Sequence, residues 1–149
     1  MEYRGFTFVS AKYPGKQRLP ERSTVRSAGY DFFCPIDVTI SPYTSLIVPT
    51  GVKAWMDEDE CLMLFNRSSN PKRKGLVLIN GVGVIDSDYF NNPDNEGEIG
   101  FAFYNITDKP VTIKAGEKLG QGVFTTYLTA DNEVCPTNER TGGFGSTGK

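Results

Sequence analysis

Short runs of β-branched and aromatic residues recur along the chain, separated by clusters of Pro, Gly, Asn and Asp. The first run, Phe6-Thr7-Phe8-Val9, alternates as a half-buried strand does. Strong helical periodicity is absent, and a short helix fits only after Ser68-Ser69, with Pro71 in its first turn. Many short strands predict an all-β sandwich, jelly roll or barrel. We predict further strands over residues 30–34, 38–40, 45–48, 52–56, 61–65, 98–104, 111–113 and 121–128.

The stretch from residue 76 to residue 98 carries the densest set of signals. Asn80-Gly81 separates two apolar runs, 76–79 and 82–85, which predicts a β-hairpin with a type I′ turn. The second arm ends in Asp86-Ser87-Asp88-Tyr89, so a carboxylate pair and an exposed aromatic follow an apolar strand. The carboxylates suit a metal site, a general base or simply a polar strand end. Asn80 is either a turn residue or an amide that presents a donor and an acceptor to a base edge.

The composition of the 149 residues narrows the possible chemistry. The length suits one domain, and a net charge of −2 gives no basic field to attract nucleic acid or an anionic membrane. The chain has no histidine, which removes imidazole bases, Ser–His–Asp triads and HExxH zinc sites. An enzyme of this composition would use a carboxylate as its base, or else Lys, Tyr or Cys.

The cysteines and the apolar runs indicate the cellular compartment in which the protein is expected. Cys34, Cys61 and Cys135 are far apart and form no CxxC motif, which favours reduced thiols. The first residues contain no apolar signal segment, and no apolar run approaches the length of a membrane span. We therefore expect a cytoplasmic protein with no membrane and no nucleic-acid partner.

Two other segments carry groups that suit phosphate. Arg67-Ser68-Ser69 offers a guanidinium, two hydroxyls and a helix start to an anion, although such a turn is also typical of a solvated surface. The last residues, 138–149, are too rich in glycine and too poor in apolar residues to pack independently. They form either a frayed end or a clamp, in which Arg140 and Phe144 order on binding a phosphate and a ring.

Five motifs follow one another along the chain. They are Ser27–Asp31 with Leu19-Pro20 and Arg22 before it, Arg67–Ser69, Asn80–Tyr89 closed by Gly97-Glu98-Ile99, Gly116–Gln121, and Arg140–Gly148. In this order and spacing they resemble those of the trimeric, all-β dUTP diphosphatases (dUTPases). The resemblance extends from Leu19 to the C-terminus.

The resemblance implies an architecture and a reaction. It implies a jelly-roll-like, distorted β-barrel over residues 1–137 and a flexible glycine-rich tail over residues 138–149. It also implies a homotrimer whose sites combine the hairpin of one subunit, the Arg67 segment of another and the tail of a third. The reaction would convert dUTP and water to dUMP and diphosphate, with Mg²⁺ held by the triphosphate and waters rather than by direct protein ligands.

The resemblance also implies a role for each matching residue. Asp86 would deprotonate the water that attacks the α-phosphorus, and Tyr89 would lie under the deoxyribose. Asp31 would orient neighbouring groups or metal-bound water from the outer sphere. The implied phosphate-binding residues are Arg67, Ser68, Ser69, Gln121 and Arg140. The implied uracil-binding residues are Asn80, Gly83, Val84 and Ile85, together with Phe144 and Gly145 of the closing tail.

The chain departs from the family pattern at three places. An inserted loop, residues 90–96, stands between Tyr89 and Gly97, where the family has about one residue. Asn66 occupies a position that is usually Pro, and Thr141 one that is usually Gly. Two alternatives stay open: a dCTP deaminase of the same fold, and a nucleotide-gated regulatory protein that binds a protein partner through the inserted loop around Pro93.

Overall fold

The structure is a computed structural model that describes residues 1–10, 12–14 and 16–145. Short strands predominate, and the prediction of an all-β fold is confirmed. One short helix, α1, spans Asn70–Lys74 and has Pro71 in its first turn, as predicted. The strands are β1 Gly5–Phe8, β2 Tyr30–Phe33, β3 Val38–Ile40, β4 Ser45–Pro49, β5 Val52–Trp55, β6 Glu60–Asn66, β7 Leu76–Leu78, β8 Gly83–Asp86, β9 Gly100–Asn105, β10 Val111–Ile113 and β11 Lys118–Thr126.

The strands pair antiparallel in two larger sheets and two small ribbons. The four-stranded sheet has the order β2-β11-β6-β8, and the three-stranded sheet has the order β4-β9-β7. The ribbons pair β1 with β5 and β3 with β10. Non-local pairing of this kind brings motifs that are far apart in the sequence onto neighbouring strands.

The core lies between the two larger sheets. Phe32 of β2 packs against Phe101 of β9 with ring centroids 5.4 Å apart, and both side chains are fully buried. Leu62 of β6 and Phe103 of β9 are equally inaccessible. Burying a side chain of this size stabilises the folded state by about 1.5–3 kcal/mol. The alternating runs of the sequence therefore supply the scaffold on which the functional groups stand.

The predicted hairpin between residues 76–79 and 82–85 is wrong in its pairing. The chain does turn there, because the Gly81 N–H donates to the Leu78 carbonyl at 3.1 Å and Gly81 has a φ of 75°. Asn80 keeps a negative φ, so the turn is not of type I′. Strand β7 pairs with β9 and β8 pairs with β6. The turn thus carries the chain from one sheet to the other.

The start of helix α1 lacks a side-chain cap. Ser69 occupies the N-cap position, but its side chain makes no capping hydrogen bond. The hydroxyl of Ser69 is therefore not used to hold the helix. In the part of the chain that the structure describes, no helix has the length and apolar character needed to cross a membrane.

Candidate active site

A cavity of about 250 Å³ lies beside β8, the edge strand of the four-stranded sheet. The tail residues 140–145 contribute to its walls, and so does the turn before β8. The cavity brings together many of the residues that the sequence singled out. Its lining residues are Leu64, Asn80, Gly83, Val84, Ile85, Asp86, Tyr89, Gly100, Arg140, Gly143, Phe144 and Gly145.

Strand β8 gives the cavity a polar wall made of backbone. The strand pairs with β6 on one side only, from Gly83 opposite Leu64 to Asp86 opposite Cys61. An edge strand leaves a row of N–H and C=O groups without strand partners. Asn80 lies exposed in the turn that leads into this strand. A planar ligand with donors and acceptors along one edge fits such a wall.

Tyr89 is buried, although the sequence led us to expect an exposed aromatic. Strand β8 ends at Asp86, and residues Ser87–Tyr89 form a 3₁₀ turn that directs the Tyr89 ring inward, with only 5% of the residue exposed. The phenol donates to the Glu98 carbonyl at 2.7 Å and accepts from Asn95 Nδ2 at 2.9 Å. Burial raises the pKa of Tyr89, so the hydroxyl keeps its proton and its donor role at neutral pH.

Arg140 binds the two carboxylates at the end of β8. Its guanidinium lies 2.5 Å from Asp86 Oδ2 and 2.6 Å from Asp88 Oδ1. Burial lowers the pKa of Arg140, but hydrogen bonds and the charges of Asp88 and Asp86 outweigh it, and the net effect is a raised pKa. The sequence led us to expect this arginine at the phosphates. Without a nucleotide, the two opposite charges nearest to it are these carboxylates.

The tail lies against the cavity of its own chain. The resemblance implied that the tail and the hairpin segment come from different subunits, and this assignment for the assembled protein stays a prediction. A Cβ placed on Gly143 would lie 2.5 Å from Tyr89 Cε2, so only glycine permits this close approach. Phe144 follows at the mouth of the cavity and is 61% exposed. Residues 146–148, the end of the fifth motif, lie outside the described residues.

The other predicted site residues form a second group, which we call the Arg67 cluster: Asp31, Arg67, Ser68, Ser69 and Gln121. Gln121 stands in register with Asp31 on one side and Phe65 on the other, because β11 lies between β2 and β6. Asp31 forms an ion pair with Lys118 at 3.0 Å. Arg67 and Ser68 follow directly from the end of β6. The first, second and fourth motifs thus meet on three adjacent strands.

Two asparagines, Asn66 and Asn70, tie the Arg67 cluster to the rest of the barrel, and no pattern in the sequence predicted this role. Asn66 Oδ1 accepts from the Arg67 N–H at 2.9 Å and from Asn70 Nδ2 at 2.8 Å. Asn66 Nδ2 donates to the Leu76 carbonyl, and Asn70 Nδ2 donates to the Leu119 carbonyl. Asn66 stands where the family usually has Pro. Its amide ties the Arg67 turn to helix α1 and to the fourth motif.

The cavity and the Arg67 cluster are separate within one chain. None of the cavity-lining residues belongs to the Arg67 cluster. Among the described residues, no side-chain hydrogen bond or ion pair joins the two groups. Within one chain, the predicted site residues therefore form two groups that do not meet.

The described residues of the cavity and of the Arg67 cluster include too few clustered carboxylates to enclose a metal ion. Among the described residues, the one acidic cluster with metal-ligand geometry is Asp57, Asp59 and Glu60, which lies outside the cavity. Arg4 already binds the Glu60 carboxylate. Asp31 is the carboxylate within the Arg67 cluster. This donor set suits an Mg²⁺ ion that arrives with phosphate oxygens and keeps most of its waters.

Comparison with known proteins identifies the family. A family model described as dUTPase matches residues 16–148. Deoxyuridine 5'-triphosphate nucleotidohydrolase of Lactococcus lactis subsp. lactis (strain IL1403) is 50% identical over 149 residues, which are 99% of each chain. The protein of the same name from Haemophilus ducreyi (strain 35000HP / ATCC 700724) is 34% identical over 138 residues, 88% of this chain and 87% of that one.

Solved structures agree with the sequence comparison. The crystal structure of a dUTPase from Streptococcus mutans matches with a TM-score of 0.82 and 50% identity, over 86% of this chain and 99% of that chain. A dUTPase from phage phi11 of S. aureus matches with a TM-score of 0.74 at 21% identity, over 93% of this chain and 99% of that chain, which shows the fold alone. The chain belongs to the dUTPase family, and the resemblance found in its five motifs is confirmed.

Proposed function

We propose that this protein hydrolyses dUTP to dUMP and diphosphate in an Mg²⁺-dependent reaction. The observation that carries the proposal is the cavity, where an edge strand, a buried tyrosine and the Asp86 carboxylate meet under a closing tail. The relative from Lactococcus lactis, named as a deoxyuridine 5'-triphosphate nucleotidohydrolase, is 50% identical over nearly the whole of both chains. Family and site geometry support the same reaction.

Base and sugar selection would take place on the walls of the cavity. Uracil carries donors and acceptors along one edge, and the free backbone of β8 with the Asn80 amide offers their complements. Tyr89 would lie under the deoxyribose, where its fixed ring leaves no room for a 2′-hydroxyl. Phe144, followed by Gly145, would stack on the uracil when the tail closes. These contacts reject cytosine by mismatched hydrogen bonds and ribose by steric exclusion.

The chemical step would fall to Asp86. Its carboxylate is 60% exposed at the end of β8, and it would accept a proton from the water that attacks the α-phosphorus. In the structure one of its oxygens accepts a hydrogen bond from Arg140. For Asp86 to act as a base, Arg140 must leave it, and the phosphates of the nucleotide are a stronger attraction for a guanidinium. Substrate binding would thereby release the base.

The phosphates would be held by a neighbouring subunit. Arg67, Ser68, Ser69 and Gln121 offer a guanidinium, two hydroxyls and an amide, and the described chain does not bring them to its own cavity. A ring of three identical subunits would bring each Arg67 cluster to the cavity of the next. Mg²⁺, when bound with the triphosphate, would neutralise charge on the phosphate oxygens. Asp31 would orient its waters from the outer sphere.

One assay tests the proposal against its alternatives. The protein is incubated with dUTP and, separately, with dCTP, each with Mg²⁺. We expect diphosphate and dUMP from dUTP and no reaction of dCTP. Ammonia with a deoxyuridine nucleotide from dCTP would identify a deaminase instead. Tight nucleotide binding without turnover would identify a regulatory binding protein.

A further inference from the structure

The inserted loop, residues 90–96, is a folded element with its own polar centre. Asn92 is 5% exposed, and its Nδ2 donates to the Tyr89 carbonyl at 2.8 Å and to Asn95 Oδ1 at 2.8 Å. Its Oδ1 accepts from the N–H groups of Asp94 and Asn95 at 3.0 and 3.1 Å. Both polar atoms of this buried amide are thus bonded, to the loop itself and to the Tyr89 carbonyl that precedes it. A loop organised in this way holds one conformation.

The outer side of the loop is fixed to the barrel. Lys53 of β5 donates to Asn91 Oδ1 at 2.6 Å and pairs with the Glu96 carboxylate at 3.2 Å. Hydrogen bonds from Ser10 are the main cause that lowers the pKa of Glu96 to about 2. The Phe90 ring lies 6.5 Å from the Trp55 ring. The loop is therefore anchored on a strand that does not belong to the cavity.

The inner side of the loop reaches the tyrosine of the cavity. Asn95 Nδ2 donates to the Tyr89 hydroxyl at 2.9 Å, and Asn95 Oδ1 accepts from the Gly97 N–H at 3.0 Å. The Tyr89 hydroxyl in turn donates to the Glu98 carbonyl. Two hydrogen bonds on one hydroxyl fix both the tilt and the depth of the ring. Glu98 belongs to the third motif, whereas Asn95 belongs to the insertion.

The loop also meets the tail. A Cβ on Gly142 would lie 2.9 Å from Asp94 Oδ2, and a Cβ on Gly143 would lie 2.5 Å from the Tyr89 ring. The tail backbone therefore passes along one surface made of the loop and of the ring that the loop holds. A shift of the Tyr89 ring by a fraction of an ångström would therefore move both the surface proposed to contact the sugar and the surface that contacts the tail.

We propose that the inserted loop is a positioning element for this site, and that Asn95 is the positioning residue that fixes the Tyr89 ring through its hydroxyl. The proposal rests on the proposed function in one respect, namely that Tyr89 contacts the sugar. Asn95 touches neither the sugar nor the reacting atoms. Its effect is to make the ring a rigid wall, so that a ribose cannot push it aside.

The test compares deoxyribose with ribose in a double-mutant cycle. We expect Asn95→Ala to lower the ratio of kcat/KM for dUTP over UTP about threefold to tenfold, the effect expected from losing its hydrogen bond to the Tyr89 hydroxyl. In the Tyr89→Phe background the hydroxyl is gone, so the same Asn95→Ala change should alter the ratio no further. Asn95→Asp keeps the oxygen that accepts from Gly97 and replaces the donor to Tyr89 with an acceptor. The Tyr89 hydroxyl has one proton and could then bond either residue 95 or the Glu98 carbonyl but not both, so this variant serves if Asn95→Ala destabilises the loop.

Asn91→Gly is the matched control. It removes an amide from the same loop, on the Lys53 side, at a φ of 57° that glycine tolerates. The Asn91→Gly change should leave the ratio of kcat/KM for dUTP over UTP unchanged. The ratio of dissociation constants of dUMP and UMP, measured by calorimetry, gives the same comparison without turnover.

Two sets of results would overturn the inference. The first is an unchanged ratio of kcat/KM for dUTP over UTP in folded Asn95→Ala and Asn95→Asp proteins. The second is a fall of this ratio on Asn95→Ala that is as large in the Tyr89→Phe background as in the wild-type protein. If the wild-type protein binds dUMP over UMP but does not hydrolyse dUTP, the proposed function fails, and the binding ratios alone decide the role of Asn95. If it binds neither nucleotide, both proposals are wrong.

Discussion

The cavity and the Arg67 cluster differ in how far one chain completes them. The cavity has a strand edge, a buried tyrosine and a covering tail, and its two carboxylates already have a cationic partner in Arg140. The Arg67 cluster is tied to the barrel by Asn66 and Asn70, and none of its residues lines the cavity. In the proposed function, base and sugar would be recognised within one chain, whereas the phosphates would be bound by a second chain.

The two regions are also complementary in charge. The end of β8 and the turn after it carry Asp86 and Asp88, two carboxylates that share one cation, Arg140. The Arg67 cluster is followed by Lys72, Arg73 and Lys74 in helix α1, of which Lys74 pairs with Glu117. The remaining charges of the two regions have opposite signs, which would favour a contact between them across neighbouring chains. The comparison therefore leads to predictions about which region carries which part of the reaction.

Removal of the proposed base should have the largest effect. Asp86→Asn keeps the size of the side chain but cannot accept a proton from water, so we expect kcat to fall about 10²–10⁴-fold. The dissociation constant of a non-hydrolysable dUTP analogue should stay similar or fall, because the phosphates are bound elsewhere. Initial-rate kinetics and calorimetry measure the two quantities.

Asp88→Asn is the control for this variant. Both variants remove one carboxylate partner of Arg140, so the loss of the ion pair is common to them. Only the Asp86 variant should lose the base. A dead Asp88→Asn enzyme beside a normal Asp86→Asn enzyme would transfer the role to Asp88.

Deletion of residues 140–149 should have the next largest effect. The last strand ends at Thr126, and Phe144 is largely exposed, so the barrel should keep its melting temperature. We expect kcat to fall on the order of 10²-fold, because Arg140 and Phe144 would act in the closed state. Normal turnover by the truncated protein would show that the tail is a frayed end.

Mixed oligomers should separate the two regions directly. An Asp86→Asn chain keeps its Arg67 cluster, and an Arg67→Ala chain keeps its cavity. Neither homotrimer should be active, but after mixing and refolding about a quarter of the sites should be intact if each site combines two chains in a trimer. Light scattering checks the trimer. Absence of any rescue would place both regions of each site in one chain.

A second mixing experiment shows which chain supplies the tail to a site. An Asp86→Asn chain is mixed with a chain truncated before Arg140. The structure places Arg140 on Asp86 of its own chain, so we expect no rescue. Returned activity would show that the tail crosses to a neighbouring subunit, as the family resemblance implies.

Acid should weaken the anchor of the inserted loop, which is the smallest effect. The pKa of Glu96 is lowered from 4.5 to about 2, so its ionised form favours the folded state. This contribution is present above about pH 4.5 and is lost as the pH falls towards about 2. We expect Glu96→Gln to lower the melting temperature at pH 7 and to matter less at about pH 3. Glu2→Gln, at an exposed position, is the control and should change neither value.

The sequence predicts the strands well because each is decided locally. Runs such as the one in β9, where every second residue is buried, place one face on the core whatever their partner is. The turn at Gly81 was also predictable, but the pairing of its arms was not. Leu76 and Leu62 are buried in different sheets, and this long-range packing overrides a local hairpin signal.

The site was predictable in its motifs and not in its contacts. Matching residues identified Asp86 and Tyr89, but single polar residues such as Asn66 and Asn95 give no periodic pattern. Their roles depend on partners that the fold brings close, as Asn66 meets Leu76. The pairing of Arg140 with Asp86 joins residues 54 positions apart and follows from charge only once the tail is in place.

If Arg140 binds the phosphates as proposed, its double ion pair would compete with the substrate. Asp86 and Asp88 bind the guanidinium that the triphosphate would need, and the nucleotide would have to displace both. Dissolved salt screens exposed charges beyond about 8–10 Å, so it weakens the long-range approach of the nucleotide far more than this contact pair, whose arginine is 13% exposed. Added salt would therefore slow nucleotide capture without freeing Arg140.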